Sequence, residues 1–147
     1  MMDAHFYTVN VEWLADKKGI LTSPELAQNV EVATPPPFQG GIEQIWSPEH
    51  LFTSAVVSCF MTTFLAIAAN SKLTYSDFKC NAKGKLEQIE GKYLMTEVLL
   101  EAHLTIDNIE NKEKAERVLE KSERACLISN SIKSIVTLTP IIKISNE

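Results

Sequence analysis

Arginine is almost missing from this 147-residue chain, which has Arg117 and Arg124 and no others. Positive charge as a whole is in short supply, with 14 Lys and Arg against 19 Asp and Glu for a net charge of −5. The lysines at 17, 18, 72, 79, 83, 85 and 92 are scattered, so nothing here favours binding to nucleic acid or to an anionic membrane. Cysteine is scarce and odd in number (Cys59, Cys80, Cys126), which excludes a disulfide-stapled secreted module. His5, His50 and His103 lack metal-ligand spacing and no Cys-x-x-Cys occurs, so neither a metal nor a cofactor is expected. The first residues, Met1 to Tyr7, show neither a basic segment nor an apolar one, so no signal peptide is expected and a cytoplasmic location is. Repeats and low-complexity segments are also missing.

What is present fits one domain over residues 1–147. Apolar residues make up 45% of the chain, ample for a core at this length. One long apolar run, Leu51 to Ala69, approaches the length of a membrane span. Thr53, Ser54, Ser58, Thr62 and Thr63 interrupt it and no basic cluster flanks it, which predicts a helix buried on most sides of a soluble core.

Alternation from His5 to Leu14 predicts a strand, Asp16-Lys-Lys-Gly19 a turn with Gly19 free to take positive φ, and Ile20–Thr22 and Val30–Ala33 short strands. Thr34-Pro-Pro-Pro-Phe-Gln-Gly-Gly41 must be an extended loop. Ser47-Pro48-Glu49 opens the long helix as N-cap, first helical residue and dipole partner, and the helix runs to about Asn70. A period-2 hairpin follows. Phe78, Cys80, Ala82 and Leu86 face inward on its first strand, and Val98, Leu100, Ala102, Leu104 and Ile106 on its second, with a turn at Glu90-Gly91. A second helix starts near Asn111 with the stripe Ala115, Val118, Leu119, Ser122 and Cys126, and continues helically through 131–134. The charged residues from Glu110 to Arg124 are its solvated face. A last strand, Ile135 to Ile144, carries Pro140 and so suits a sheet edge. The order is α+β.

Two cysteines stand in contrasting settings, Cys59 inside the apolar helix and Cys126 at a helix break. They suggest a reactive thiol and a resolving partner. Nucleophilic attack by a cysteine requires thiolate, and a free cysteine of pKa about 8.5 is only a few per cent ionised at neutral pH. Apolar burial raises that pKa, so Cys59 needs a cation or hydrogen-bond donors beside it. Cys80, on an inward strand face, reads as plain core.

Ser47-Pro-Glu-His-Leu-Phe52 with Cys59-Phe60 ten residues after Glu49 resembles the OsmC/Ohr family, the osmotically inducible protein C and organic hydroperoxide resistance proteins. So do Ala33-Thr-Pro-Pro-Pro-Phe-Gln-Gly-Gly41, Trp13 and Gly19 in the first hairpin, and Cys126-Leu-Ile-Ser129 after the second helix. The resemblance covers nearly the whole chain, with Leu127 where a proline often follows the second cysteine. It implies antiparallel sheets around a long buried central helix, in an intertwined homodimer. It also implies a thiol peroxidase that reduces organic hydroperoxides. In that scheme Cys59 is the attacking thiol, Cys126 closes a disulfide with it, and a dithiol reductant, in one branch a lipoyl protein, restores both. Glu49 matches the carboxylate that pairs with an activating arginine. Along a straight helix Glu49 lies roughly 15 Å from Cys59, so either the helix breaks between them or, the favoured reading, crossing helices carry each Glu49 to the partner protomer's site.

The activating arginine itself is the departure. The family takes it from the first hairpin loop, which here holds Lys17 and Lys18. Lysine supplies charge without the guanidinium fork, so Lys17, Lys18 or a displaced Arg124 is the candidate replacement. The competing readings are a weak or inactive relative that binds a hydrophobic small molecule, and a redox sensor whose disulfide is the output.

Overall fold

The computed structural model describes residues 3–145. Within it the chain forms two compact units, one running up to Leu51 and the other from Phe52 onward.

The first unit is a three-stranded antiparallel sheet in the order β1 (Asn10–Ala15), β2 (Lys18–Thr22), β3 (Val30–Ala33). The turn between β1 and β2 places Asp16, not Gly19, at positive φ (51°). Gly19 lies inside β2 opposite Trp13, where a Cβ would stand 2.7 Å from the Glu12 carbonyl oxygen. Its glycine serves close strand approach rather than left-handed backbone. After β3 the chain folds back through the proline-rich loop. The Thr34 amide donates to the Lys17 carbonyl (3.2 Å), Ile42 to Thr34 (2.9 Å), and Ala33 to Trp46 (2.8 Å). Gly41 passes so close to Pro35 that any side chain would overlap the backbone.

Helix α1 (Pro48–Asn70) starts at the predicted residue. The Ser47 hydroxyl accepts from the His50 amide (3.1 Å), and His50 Nδ1 accepts from the Ser47 amide (3.3 Å). This reciprocal cap uses histidine where glutamate or glutamine is usual.

The second unit holds most of α1, then β4 (Asp77–Ile89), β5 (Lys92–Ile106), a 3₁₀ turn (Ile109–Asn111), α2 (Lys112–Ala125), α3 (Leu127–Ser131) and β6 (Ile135–Ile144). Glu90 and Gly91, both at positive φ (49° and 80°), form the two-residue turn that matches strand twist. The sheet order is β4-β5-β6. Contrary to the all-antiparallel expectation, β6 runs parallel to β5. The helical segment between them gives the chain the length to return and re-enter in the same direction. Pro140 sits in mid-strand, tolerated because β6 is an edge.

Val56, Phe60, Phe64 and Ala68 of α1, Val98, Leu100, Ala102, Leu104 and Ile106 of β5, and Ala115, Val118 and Leu119 of α2 make one buried cluster. Phe64 stacks on Phe78 at 4.7 Å and meets Tyr75 edge-on at 5.2 Å. Three expectations need correction. Only one stripe of α1 is buried, while Met61 and Leu65 are exposed, so the helix is not enclosed on most sides within this chain. A bulge between Lys85 and Leu86 reverses the strand faces beyond it, leaving Leu86 exposed and Glu87 half-buried against the Thr96 hydroxyl. The helical continuation also stops at Ser131.

A Cβ on Gly84 would stand 2.1 Å from Thr53 Oγ1 and 2.7 Å from the Met95 methyl. Met95 can swing aside; Thr53 cannot without moving α1. Gly84→Ala is therefore expected to destabilise the protein by about 1–3 kcal/mol, as an overpacked core does, measured by urea unfolding.

Candidate functional site

The candidate site of the second unit forms where α1 meets the junction of α2 and α3. Cys59 projects from α1, half-buried, one turn before Thr63, whose hydroxyl lies 3.9 Å from its sulfur. Cys126 ends α2 with extended backbone and is fully buried. It completes the apolar stripe of α2, which is why the helix delivers it inward.

The two thiols are near enough for each to shift the other's proton affinity. Burial alone pushes the Cys59 thiol up. The Ile128 amide, the Cys126 thiol, the Thr63 hydroxyl and the Leu127 amide stabilise its charged form, and together they bring it below the ordinary value of 9.0. Leu127 and Ile128 open α3, where backbone N–H groups have no intrahelical acceptor, so they are free to stabilise a thiolate. Cys126 moves the opposite way. Burial raises it, partly offset by the Ser129 hydroxyl and amide, and its bond and proximity to an ionised Cys59 raise it further. The buried Ser129 Oγ, with no nitrogen or oxygen partner among the described residues, faces this sulfur. One member of the pair is thus lowered and the other raised.

The remaining candidates belong to the first unit. Lys18 Nζ is 3.9 Å from Glu31 Oε1, a solvent-accessible ion pair. Lys17 lies on the turn, its methylenes resting on Gly40, where a Cβ would meet its Cγ at 3.0 Å. Glu49 sits in the first turn of α1 with one carboxylate oxygen buried. In the second unit, Cys80 is pushed up to about 11, chiefly by burial. Such a thiol stays protonated and unreactive at neutral pH.

Sequence reasoning located both cysteines but missed their immediate donors. Thr63 was legible as the i+4 neighbour of Cys59. The Leu127 and Ile128 amides were not, because backbone donors carry no side-chain signal.

The candidate site is thus a helix-borne thiol, lowered by the groups around it, beside a second, raised thiol on an α+β scaffold. The chain belongs to the OsmC family: the family model described as OsmC-like protein matches residues 40–140. An organic hydroperoxide resistance protein from Xanthomonas axonopodis pv. citri is 22% identical over 134 residues, 90% of this chain and 92% of that protein. Among solved structures, an OsmC-like protein of unknown function from Vibrio cholerae superposes with a TM-score of 0.81 at 21% identity, over 94% of this chain and 100% of that one. An organic hydroperoxide resistance protein from Elizabethkingia anophelis gives 0.78 at 21%, over 99% and 100%.

The geometry sets a titration order. Cys59 is expected to ionise below 9.0 and Cys126 above it, as two steps belonging to the pair. Thiolate absorbance against pH reads both. Thr63→Val, which removes one donor, should move the first step upward.

Proposed function

We propose that this protein is a thiol peroxidase that reduces organic hydroperoxides. The observation that carries the reading is the Cys59 sulfur, receiving donors from Cys126, Thr63 and two α3 amides and lowered by them despite its burial. The Cys59 thiolate attacks the outer peroxide oxygen. The O–O bond breaks, the alkoxide takes a proton and leaves as alcohol, and Cys59 becomes sulfenic acid. The Cys126 thiol then displaces hydroxide from that sulfur, which leaves as water, and a Cys59–Cys126 disulfide forms. A dithiol reductant, a class that includes lipoyl proteins, returns both thiols and is itself oxidised to a disulfide.

Lys17 is the cation that favours the thiolate in place of the family's arginine, since Lys18 is engaged by Glu31. Glu49 orients it. The active species is a homodimer in which Glu49 serves the partner's site. Support for this comes from the unburied faces of α1 and from exposed aromatic residues of the first unit, Trp13 at 76% and Phe6 at 87%. The same pairing would account for the apolar α1, long enough by composition to cross a membrane, in a protein that works in the cytoplasm. The two units act as one domain, a reading favoured by matches spanning 94–99% of the chain. The alternatives, a redox-silent binder or a disulfide-output sensor, fit the lowered Cys59 less well.

Stopped-flow mixing with cumene hydroperoxide should form the Cys59–Cys126 disulfide rapidly. Cys59→Ser should abolish the reaction, and Cys126→Ser should leave sulfenic acid, trapped by dimedone and read by mass spectrometry. Slow, unselective oxidation would sink the peroxidase reading. Lys17→Met should lower the second-order rate constant at neutral pH by about tenfold, the effect of one pKa unit, with a far smaller change for Lys18→Met. Dilution to monomer should remove activity.

A further inference from the structure

Both arginines of the chain line one cleft. It measures about 380 Å³ and is bounded by Ser71, Lys114, Arg117, Val118, Glu120, Lys121 and Arg124. Four cations of α2 thus share one side at i, i+3, i+7 and i+10, spanning roughly 15 Å of helix. Arg117, Lys121 and Arg124 are exposed or half-buried along it, as is Lys114. None of the four is ion-paired among the described residues, although Glu113, Glu116, Glu120 and Glu123 each precede one of them. Consecutive helical residues point about 100° apart, so the glutamates run as a second strip along one flank of the basic one, with Glu120 at the rim of the cleft itself. Elsewhere the chain is strongly acidic: removing these four leaves 10 basic against 19 acidic residues, a balance of −9.

We propose that this basic strip docks an acidic ridge of the protein that carries the reducing dithiol. The inference rests on the peroxidase reading, which requires such a reductant. Three observations favour it. The strip is open and elongated, suited to a protein segment more than to an enclosed small molecule. The flanking glutamates admit a narrow acidic ridge and repel a broad anionic surface such as a membrane or a nucleic acid. The helix ends at Cys126, and the Asn130 side chain donates to the Arg124 carbonyl (3.1 Å), tying the end of the strip to α3 beside the thiol pair. A partner seated there would present its dithiol next to the Cys59–Cys126 disulfide. One partner thiolate attacks the Cys59 sulfur, the less buried of the two, and releases Cys126. The second partner thiol then displaces Cys59, so two electrons and two protons pass to this protein and the partner leaves as a disulfide.

The test compares two short peptides bearing the same dithiol, one followed by a run of glutamates and the other by glutamines, with dithiothreitol as an uncharged control. The oxidised protein is prepared with diamide, so the result does not depend on hydroperoxide turnover. At low salt the glutamate peptide is expected to reduce the disulfide about tenfold faster than the glutamine peptide, with the gain lost at high salt. Lys114→Gln/Arg117→Gln/Lys121→Gln should remove that gain and leave the dithiothreitol rate unchanged; Arg117→Gln alone should remove part of it. Fluorescence anisotropy of the glutamate peptide with serines in place of its cysteines reads docking separately from chemistry. Equal rates and equal binding for the two peptides, or a charge preference that survives the triple variant, would overturn the proposal. So would phosphatidylserine vesicles or duplex DNA binding the strip as well as the peptide does. Failure of cumene hydroperoxide to form the disulfide, with peptide discrimination intact, would instead strike the peroxidase reading.

Discussion

The contact of one α1 stripe with β5 and α2 governs the second unit. Val56, Phe60, Phe64 and Ala68 lock the rotation of the helix about its axis, and that rotation decides where Cys59 points. The same cluster includes Ala115, Val118 and Leu119, so it also fixes α2 and, at its end, Cys126. Close packing transmits position: interiors as dense as organic crystals leave little room for a helix to turn. Gly84 belongs to this constraint, since its missing side chain lets β4 approach Thr53 of α1.

The chemistry follows from an opposition that packing creates. Burial makes ionisation of a thiol costly, yet the start of a short helix offers amides with no other acceptor. Placing α3 directly after Cys126 supplies both the second thiol and the Leu127 and Ile128 amides from one stretch of chain. The pair therefore splits its proton affinities, Cys59 downward and Cys126 upward. Cys80, equally a core thiol but without such donors in surplus, goes up to about 11. Three cysteines in one fold thus have three acidities, set by what donates to each.

Charge is distributed with similar economy. A chain poor in arginine keeps both of its arginines on the outer side of α2. The first hairpin, where the family has its activating arginine, carries lysines, and the Glu31 ion pair distinguishes Lys18 from Lys17. Exposed ion pairs of this kind contribute little to stability.

Much of this architecture is legible in the amino-acid sequence. The start of α1 at Pro48, the Glu90-Gly91 turn, the buried stripe of α2 and the bounds of β6 follow from local rules, because caps, turns and periodicity depend on near neighbours. The direction of β6 does not, since alternation reads the same in either sense and only the crossover through α2 makes it parallel. The bulge that turns Leu86 outward leaves no mark, nor does the exchange of roles between Asp16 and Gly19. For the site, the sequence by itself determined which residues bear the thiols and which helices hold them. Only the tertiary structure decided that the two thiols influence each other and which of the two is lowered. That outcome depends on residues 67 positions apart and on backbone amides that every sequence possesses.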